Sequence, residues 1–245
     1  MPRRSRLVLP DTPMHIIQRG NNSQDCFFDD EDYASYLRWL REIAQRTQCI
    51  IHAYALLSNH VHLLLTPAHA AGVSDLMRLL GQRYVQYINR AHHRTGTLWE
   101  GRYRSCVTNE DHYVLGCYRY IELTPVREKL VEQPEDYRWS SYRVNALGQP
   151  SDLLQPHQAY RLFGETRAAR ANAYHALFRQ PLDPHLAEEI RIATQGNYAL
   201  GSPKFAAQVE KTLKIRATRG KAGRPQNQPI NETSSLSGRP LKRKS

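Results

Sequence analysis

The chain of 245 residues carries 34 Lys and Arg against 23 Asp and Glu, a net charge of +11, and residues 201–245 alone hold eleven of these cations against two acids; such a basic end suits a polyanionic partner. No stretch approaches the ~20 apolar residues that a membrane helix requires, and the basic start from Met1 to Arg6 leads into Pro10 and Pro13 instead of the apolar core of a secretory signal. The four cysteines, Cys26, Cys49, Cys106 and Cys117, form no Cys-x-x-Cys pair, which excludes a disulfide framework, argues against a structural zinc module, and makes the cytoplasm the expected location.

In chain order, His15-Ile16-Ile17-Gln18-Arg19 reads as a first strand and Gly20 to Ser23 as a loop. Asp29 or Asp30 opens a helix to about Thr47, with Tyr33, Tyr36, Leu37, Leu40, Ile43 and Ala44 at helical spacing. Cys49 to Leu57 is β-rich, Ser58-Asn59 is a two-residue turn, and His60 to Thr66 is the return arm of an antiparallel hairpin. Ser74-Asp75 opens a second helix that Gly96 ends, with Arg78, Arg83, Arg90 and Arg94 opposite its apolar face, and Leu98 to Thr108 reads as a fourth strand. This order predicts an α+β, ferredoxin-like fold: an antiparallel sheet with helices on one face and an open face for a ligand.

Asn109 is the expected cap of a third helix, which should stop near Leu123 because Pro125 disfavours α geometry at Thr124. Tyr113, Cys117, Tyr120 and Thr124 share one of its stripes. The aromatic and basic segment from Asp136 to Tyr142 is expected to pack back on the sheet. A small helical C-terminal region follows, with short helices near 156–163, 166–179, 184–194 and 203–214; the last pair is either a DNA-reading helix-turn-helix or simply two packed helices. From 216 the composition is that of a disordered basic tail. The expected organisation is a catalytic domain over 1–150, a helical and candidate DNA-binding region over 151–215, and the tail over 216–245.

His60 and His62 stand two residues apart in an apolar run, so a strand points both imidazoles the same way and one divalent ion could be held by both. Two histidines on a wet strand face need no metal, so this pair requires a nucleophile and a substrate from elsewhere in the chain. A tyrosine of the neighbouring helix could attack a phosphodiester beside that ion; the ester formed conserves the bond energy, so rejoining needs no nucleotide cofactor. A side chain one turn further along the helix could reach the same ion. Between Arg78 and Arg104 lie six arginines and one acid, interleaved with Tyr84, Tyr87, Trp99 and Tyr103, a mixture suited to single-stranded DNA, although core packing is the better reading of Tyr84 and Tyr87.

The segments His15 to Asn22, Leu57-Ser58-Asn59-His60-Val61-His62-Leu63, Gly96 to Arg102, Arg119 to Arg127 and Asp136 to Tyr142, in that order, resemble the HUH one-tyrosine, IS200-like transposases, and within them the REP-associated tyrosine transposases. The resemblance spans roughly residues 8–145. It implies that His60 and His62 bind a catalytic Mg²⁺ or Mn²⁺, that Tyr120 is the nucleophile forming a 5′-phosphotyrosine, and that Tyr113 and Tyr118 are structural. Its third metal ligand, commonly Asn, falls here on Thr124, a weaker ligand. Arg19, Asn21, Arg78, Arg83, Trp99, Arg102, Arg104 and Arg127 are the expected DNA contacts. The implied substrate is single-stranded or hairpin DNA of REP-like repeats, handled by a monomer or homodimer away from any membrane. The alternative is a sequence-specific DNA-binding protein derived from such an enzyme, with Thr124 marking a weakened site.

Overall fold

The computed structural model of the protein describes residues 5–220; residues 1–4 and 221–245, which include most of the expected basic tail, lie outside the described residues. Four strands, β1 (Met14–Arg19), β2 (Cys49–Leu56), β3 (His60–Pro67) and β4 (Arg104–Val107), form one antiparallel sheet in the order β2-β3-β1-β4. Helices α1 (Asp30–Arg46) and α2 (Gly72–Ala91) cover one face, completing the ferredoxin-like order. A reciprocal capping box between Asp29 and Asp32 starts α1. Alternation does the rest: Met14, Ile16, Val61, Leu63 and Leu65 meet Tyr36, Leu40 and Ile43 of α1 and Leu76, Leu80 and Tyr84 of α2. Each such buried side chain stabilises the fold by roughly 1.5–3 kcal/mol.

Several boundaries differ from expectation, among them the end of α2 at Ala91, short of Gly96. α2 begins at Gly72, ahead of Ser74-Asp75. β4 covers only Arg104–Val107 of the predicted Leu98–Thr108. Leu98 and Glu100 keep single backbone hydrogen bonds to Asn21 and Arg19, after which Gly101, at φ +136°, turns the chain out of register, a conformation open to glycine.

The second face of the sheet, expected to be open, carries α3 (Asp111–Glu122). Val114, Cys117, Tyr118 and Ile121 pack on Ala53, Ala55, Leu64 and Cys106. The residue capping α3 is Glu110, not Asn109. α3 ends at Glu122, close to the expected Leu123, but Thr124 is helical again: Pro125 occupies the first turn of a new helix, α4 (Thr124–Arg127), where its missing N–H has no partner to lose. Next come α5 (Tyr142–Asn145), α6 (Gln158–Arg161), α7 (Arg167–Ala176) and α8 (Pro184–Gly196), which complete this second core with Tyr142, Tyr160, Tyr174, Leu186 and Ile190. Gly116 lets α8 approach α3, since a Cβ there would lie 2.9 Å from Leu186 Cδ2.

α9 (Pro203–Leu213) returns to the first core through Phe205 and Val209. The last two helices therefore bury their apolar faces on opposite sides of the sheet, straddling β4, and the link between them is tied to its edge by Leu200 N–H donating to Val107 O. Packing continues to Ala217, which is fully buried and accepts from Ala199 N–H. No helix among the described residues is long and apolar enough to cross a membrane.

Candidate active site

β3 leaves the Ser58-Asn59 turn directly into His60, so His60, His62 and Leu64 point to the α3 side while Val61, Leu63 and Leu65 point to α1 and α2. The two imidazole centroids are 5.0 Å apart. Burial, reinforced by Arg19 and Arg127, lowers the His60 pKa to about 4. Burial, then His15 and His60, hold that of His62 well below the ordinary histidine value. Both rings are therefore neutral at pH 7, with one bare nitrogen each.

Hydrogen bonds decide which nitrogen is bare. Thr194 Oγ1 donates to Ile190 O at 2.7 Å, so towards His15 Nδ1, 2.9 Å away, it accepts. His15 Nε2 then lacks a proton and accepts from His62 Nδ1 at 2.8 Å. His60 Nδ1 donates to Asn59 Oδ1 at 2.6 Å, and the Asn59 amide is oriented by its NH₂ facing Ser23 O. Both chains of donors end with unprotonated Nε2 atoms on His60 and His62. Among these supporting groups, His15 lies in the first strand in register with Leu64, whereas Thr194 stands 179 residues away and no sequence signal marks it.

Tyr120, in the last turn of α3, places its ring centroid 6.0 Å from His62 and 5.6 Å from His15. Tyr118 is fully buried, with its hydroxyl accepting from His157 N–H, and Tyr113 lies two turns back beside Glu189. Arg127 sets its guanidinium 3.7 Å from the Tyr120 ring centroid. Burial raises the Tyr120 pKa, and Arg127 opposes that shift. Thr124 does not offer its hydroxyl to the histidines: Oγ1 donates to Tyr120 O at 2.9 Å and accepts from Arg127 Nη2 at 2.7 Å. Glu128 Oε1 instead lies 3.4 Å from His60 Nε2. Two bare imidazole nitrogens beside a carboxylate fit a divalent cation, so the donor chemistry agrees with the metal that the sequence resemblance implies.

One strand from this pair, a cavity of about 690 Å³ is lined by Arg6, Arg19, Arg102 and Arg104 together with Tyr103 and Tyr198. Ile17 and Arg19, also on its wall, are the cross-strand neighbours of His62 and His60. Arg6 stacks 3.7 Å over the Tyr103 ring, and Arg104 donates to Gln195 O at the end of α8. Of the expected DNA contacts, Arg19, Arg102 and Arg104 thus meet here, and Arg127 sits at Tyr120. Asn21 is held nearby through its N–H to Leu98 O. Arg78 and Arg83 do not join them: they are on α2, across the sheet, paired with Asp75 at 3.1 Å and Glu42 at 2.7 Å. Trp99 is partly buried against the first core, with its ring centroid 6.0 Å from that of Tyr84.

Residues 9–124, which include this sheet, the histidine pair and the helix tyrosine, match the family described as transposase, IS200 like. That match spans just under half of the chain. The solved structure of a REP-associated tyrosine transposase bound to a REP hairpin is similar in fold, with a TM-score of 0.52 and 15% identity over 64% of this chain and 93% of that one. A Deinococcus radiodurans protein described as a transposase aligns at 23% identity over 45% of this chain and 89% of that one, with a TM-score of only 0.35. No curated protein matches the chain.

Proposed function

We propose that this protein is a transposase that cuts and rejoins single-stranded DNA at palindromic, REP-like hairpins through Tyr120. The observation that carries this reading is the placement of the Tyr120 ring against His62, with two bare histidine Nε2 atoms and an arginine-lined cavity alongside. Mg²⁺ or Mn²⁺ held by His60 and His62 would supply Lewis-acid polarisation of the phosphodiester. The rest falls to side chains. The cavity arginines neutralise phosphates. Arg127, over the Tyr120 ring, favours the phenolate against the desolvation that opposes it. Tyr120 Oη then bonds to phosphorus as the P–O3′ bond breaks; the phenolic proton ends on the departing 3′-oxygen, leaving a 5′-phosphotyrosine and a free 3′-hydroxyl. Attack by another 3′-hydroxyl reverses the step and restores Tyr120 without a nucleotide cofactor.

The hairpin substrate is supported by the fold likeness to a protein solved with a REP hairpin. A second reading, a DNA-binding derivative with a weakened site, is favoured by one observation, the Thr124 hydroxyl already engaged by Tyr120 O and Arg127. The test incubates the full chain with end-labelled single-stranded hairpin oligonucleotides, with and without Mg²⁺ or Mn²⁺, followed by denaturing electrophoresis. A metal-dependent covalent adduct that disappears in Tyr120→Phe, with binding retained, is expected. Adducts that persist in that variant would assign the nucleophile elsewhere, and tight binding without cleavage would select the DNA-binding derivative.

A further inference from the structure

We infer that Glu128, not Thr124, is the third protein ligand of the divalent ion, an inference that rests on the function proposed above. The position of Thr124 is one helical turn beyond the nucleophile, but its hydroxyl proton and one of its two lone pairs are already engaged, and the side chain is buried away from the histidines' exposed neighbour Glu128. Its single proton goes to Tyr120 O at 2.9 Å, Arg127 Nη2 occupies the oxygen at 2.7 Å, and the residue is 1% exposed. Releasing it would strand a buried guanidinium donor and a helix-end carbonyl together.

Glu128 has the opposite character. Pro125 occupies the first turn of α4, and this one extra turn carries Arg127 to Tyr120 and Glu128 to His60. The carboxylate is 43% exposed on its side chain, so it is free to exchange partners, and its Oε1 lies 3.4 Å from His60 Nε2. That separation is near the roughly 3 Å between adjacent ligand atoms around a six-coordinate ion with bonds of about 2.1 Å. Because His60 Nδ1 already donates to Asn59 Oδ1, Nε2 is the unprotonated nitrogen. The contact with Glu128 is then between a lone pair and a carboxylate oxygen with no proton between them, an arrangement that a cation would resolve. A carboxylate also supplies what two neutral imidazoles lack for Mg²⁺ or Mn²⁺, a hard anionic oxygen. His60, His62 and Glu128 together would leave the remaining positions for water and a phosphate oxygen. Burial raises the Glu128 pKa, and Arg19 and Arg127 oppose that shift.

The experiment is Mn²⁺ titration of the full chain without DNA, followed by calorimetry and by the electron paramagnetic resonance signal of free Mn²⁺. Glu128→Gln, which keeps size and exposure, is expected to weaken Mn²⁺ affinity tenfold or more, while Glu128→Asp recovers part of it and Thr124→Val stays within about twofold of the parent. Equal Mn²⁺ affinity in Glu128→Gln and the parent, with loss in His60→Ala, would overturn the assignment while leaving the two-histidine site standing. Unchanged affinity in a His60→Ala/His62→Ala double variant would instead remove the metal site itself, and with it the proposed function. Melting curves of each variant separate lost ligation from lost folding.

Discussion

Glu122 should make stability depend on pH in a direction opposite to that of the buried histidines. Its carboxyl is fully buried at the junction of α3 with the C-terminal helices, where Ser141 and Asn145 meet Oε1 at 2.5 and 2.7 Å and Tyr174 meets Oε2 at 2.7 Å. Burial outweighs these hydrogen bonds and raises its pKa from 4.5 to about 7. A raised folded-state pKa contributes stability that is complete below the unfolded value and lost as pH climbs through the folded one. Between about pH 4.5 and 7 the unfolded chain sheds a proton that the folded chain keeps, which costs on the order of 3 kcal/mol across the window at 1.36 kcal/mol per unit. His52 and His60, lowered to about 4, act oppositely, since their contribution is lost as pH falls from 6.5 toward 4. The measured quantity is therefore the difference between the parent and Glu122→Gln, whose amide can still accept from Ser141 and Asn145 but cannot ionise. Urea unfolding at half-unit steps from pH 4.5 to 7.5 should show the variant gaining on the parent by about 3 kcal/mol toward the alkaline end. Parallel profiles for the two proteins would refute an uncharged Glu122 at this junction.

Thr194→Val removes the acceptor that keeps the proton on His15 Nδ1, freeing His15 to donate from Nε2 and drive the His62 proton onto the metal-facing nitrogen; Mn²⁺ affinity should fall by about 10–100-fold and recover in Thr194→Ser, and an unchanged titration would break the relay. Arg102→Ala and Arg104→Ala should each weaken single-strand binding and reduce the slope of log affinity against log salt by about one, while Arg78→Ala and Arg83→Ala, across the sheet, leave the slope in place. Filter binding at several salt concentrations distinguishes the two pairs, and equal losses would spread the interface over both faces. Removing residues 221–245, which carry Lys221, Arg224, Arg239, Lys242, Arg243 and Lys244, should likewise flatten that slope, and an unaltered slope would exclude phosphate contacts from this segment.

The strand and helix order was legible because each element advertises itself locally. The Ser58-Asn59 turn sets the hairpin, and the His60/His62 spacing against Val61, Leu63 and Leu65 assigns the two faces without knowledge of what covers them. The misread points were those where a local rule met a neighbour. Pro125 marks the end of α3 correctly but not the new turn, α4, that takes it in its first turn; Leu98 to Tyr103 has strand composition, but Gly101 bends it away from β1. The arginines of α2 matched a nucleic-acid face by composition, and only the packing of that helix on α1 puts Arg83 against Glu42, far from the histidines.

Residue types and short spacings determined, by themselves, the ferredoxin-like order, the shared face of His60 and His62, and the placement of Tyr120 near a helix end. Those properties depend on side-chain periodicity and turn chemistry within some ten residues. Tertiary structure alone decided that the second face of the sheet is roofed by α3 and α8, that Thr194 orders the protons of His15 and His62, and that Arg6 joins Arg102 and Arg104 in one cavity. It also decided that the Thr124 hydroxyl is engaged by Tyr120 O and Arg127 while Glu128 faces His60. Each of these follows from contacts between groups that are distant in the chain or from the direction of one added helical turn, and a hydrogen bond 179 residues long leaves no periodicity to read.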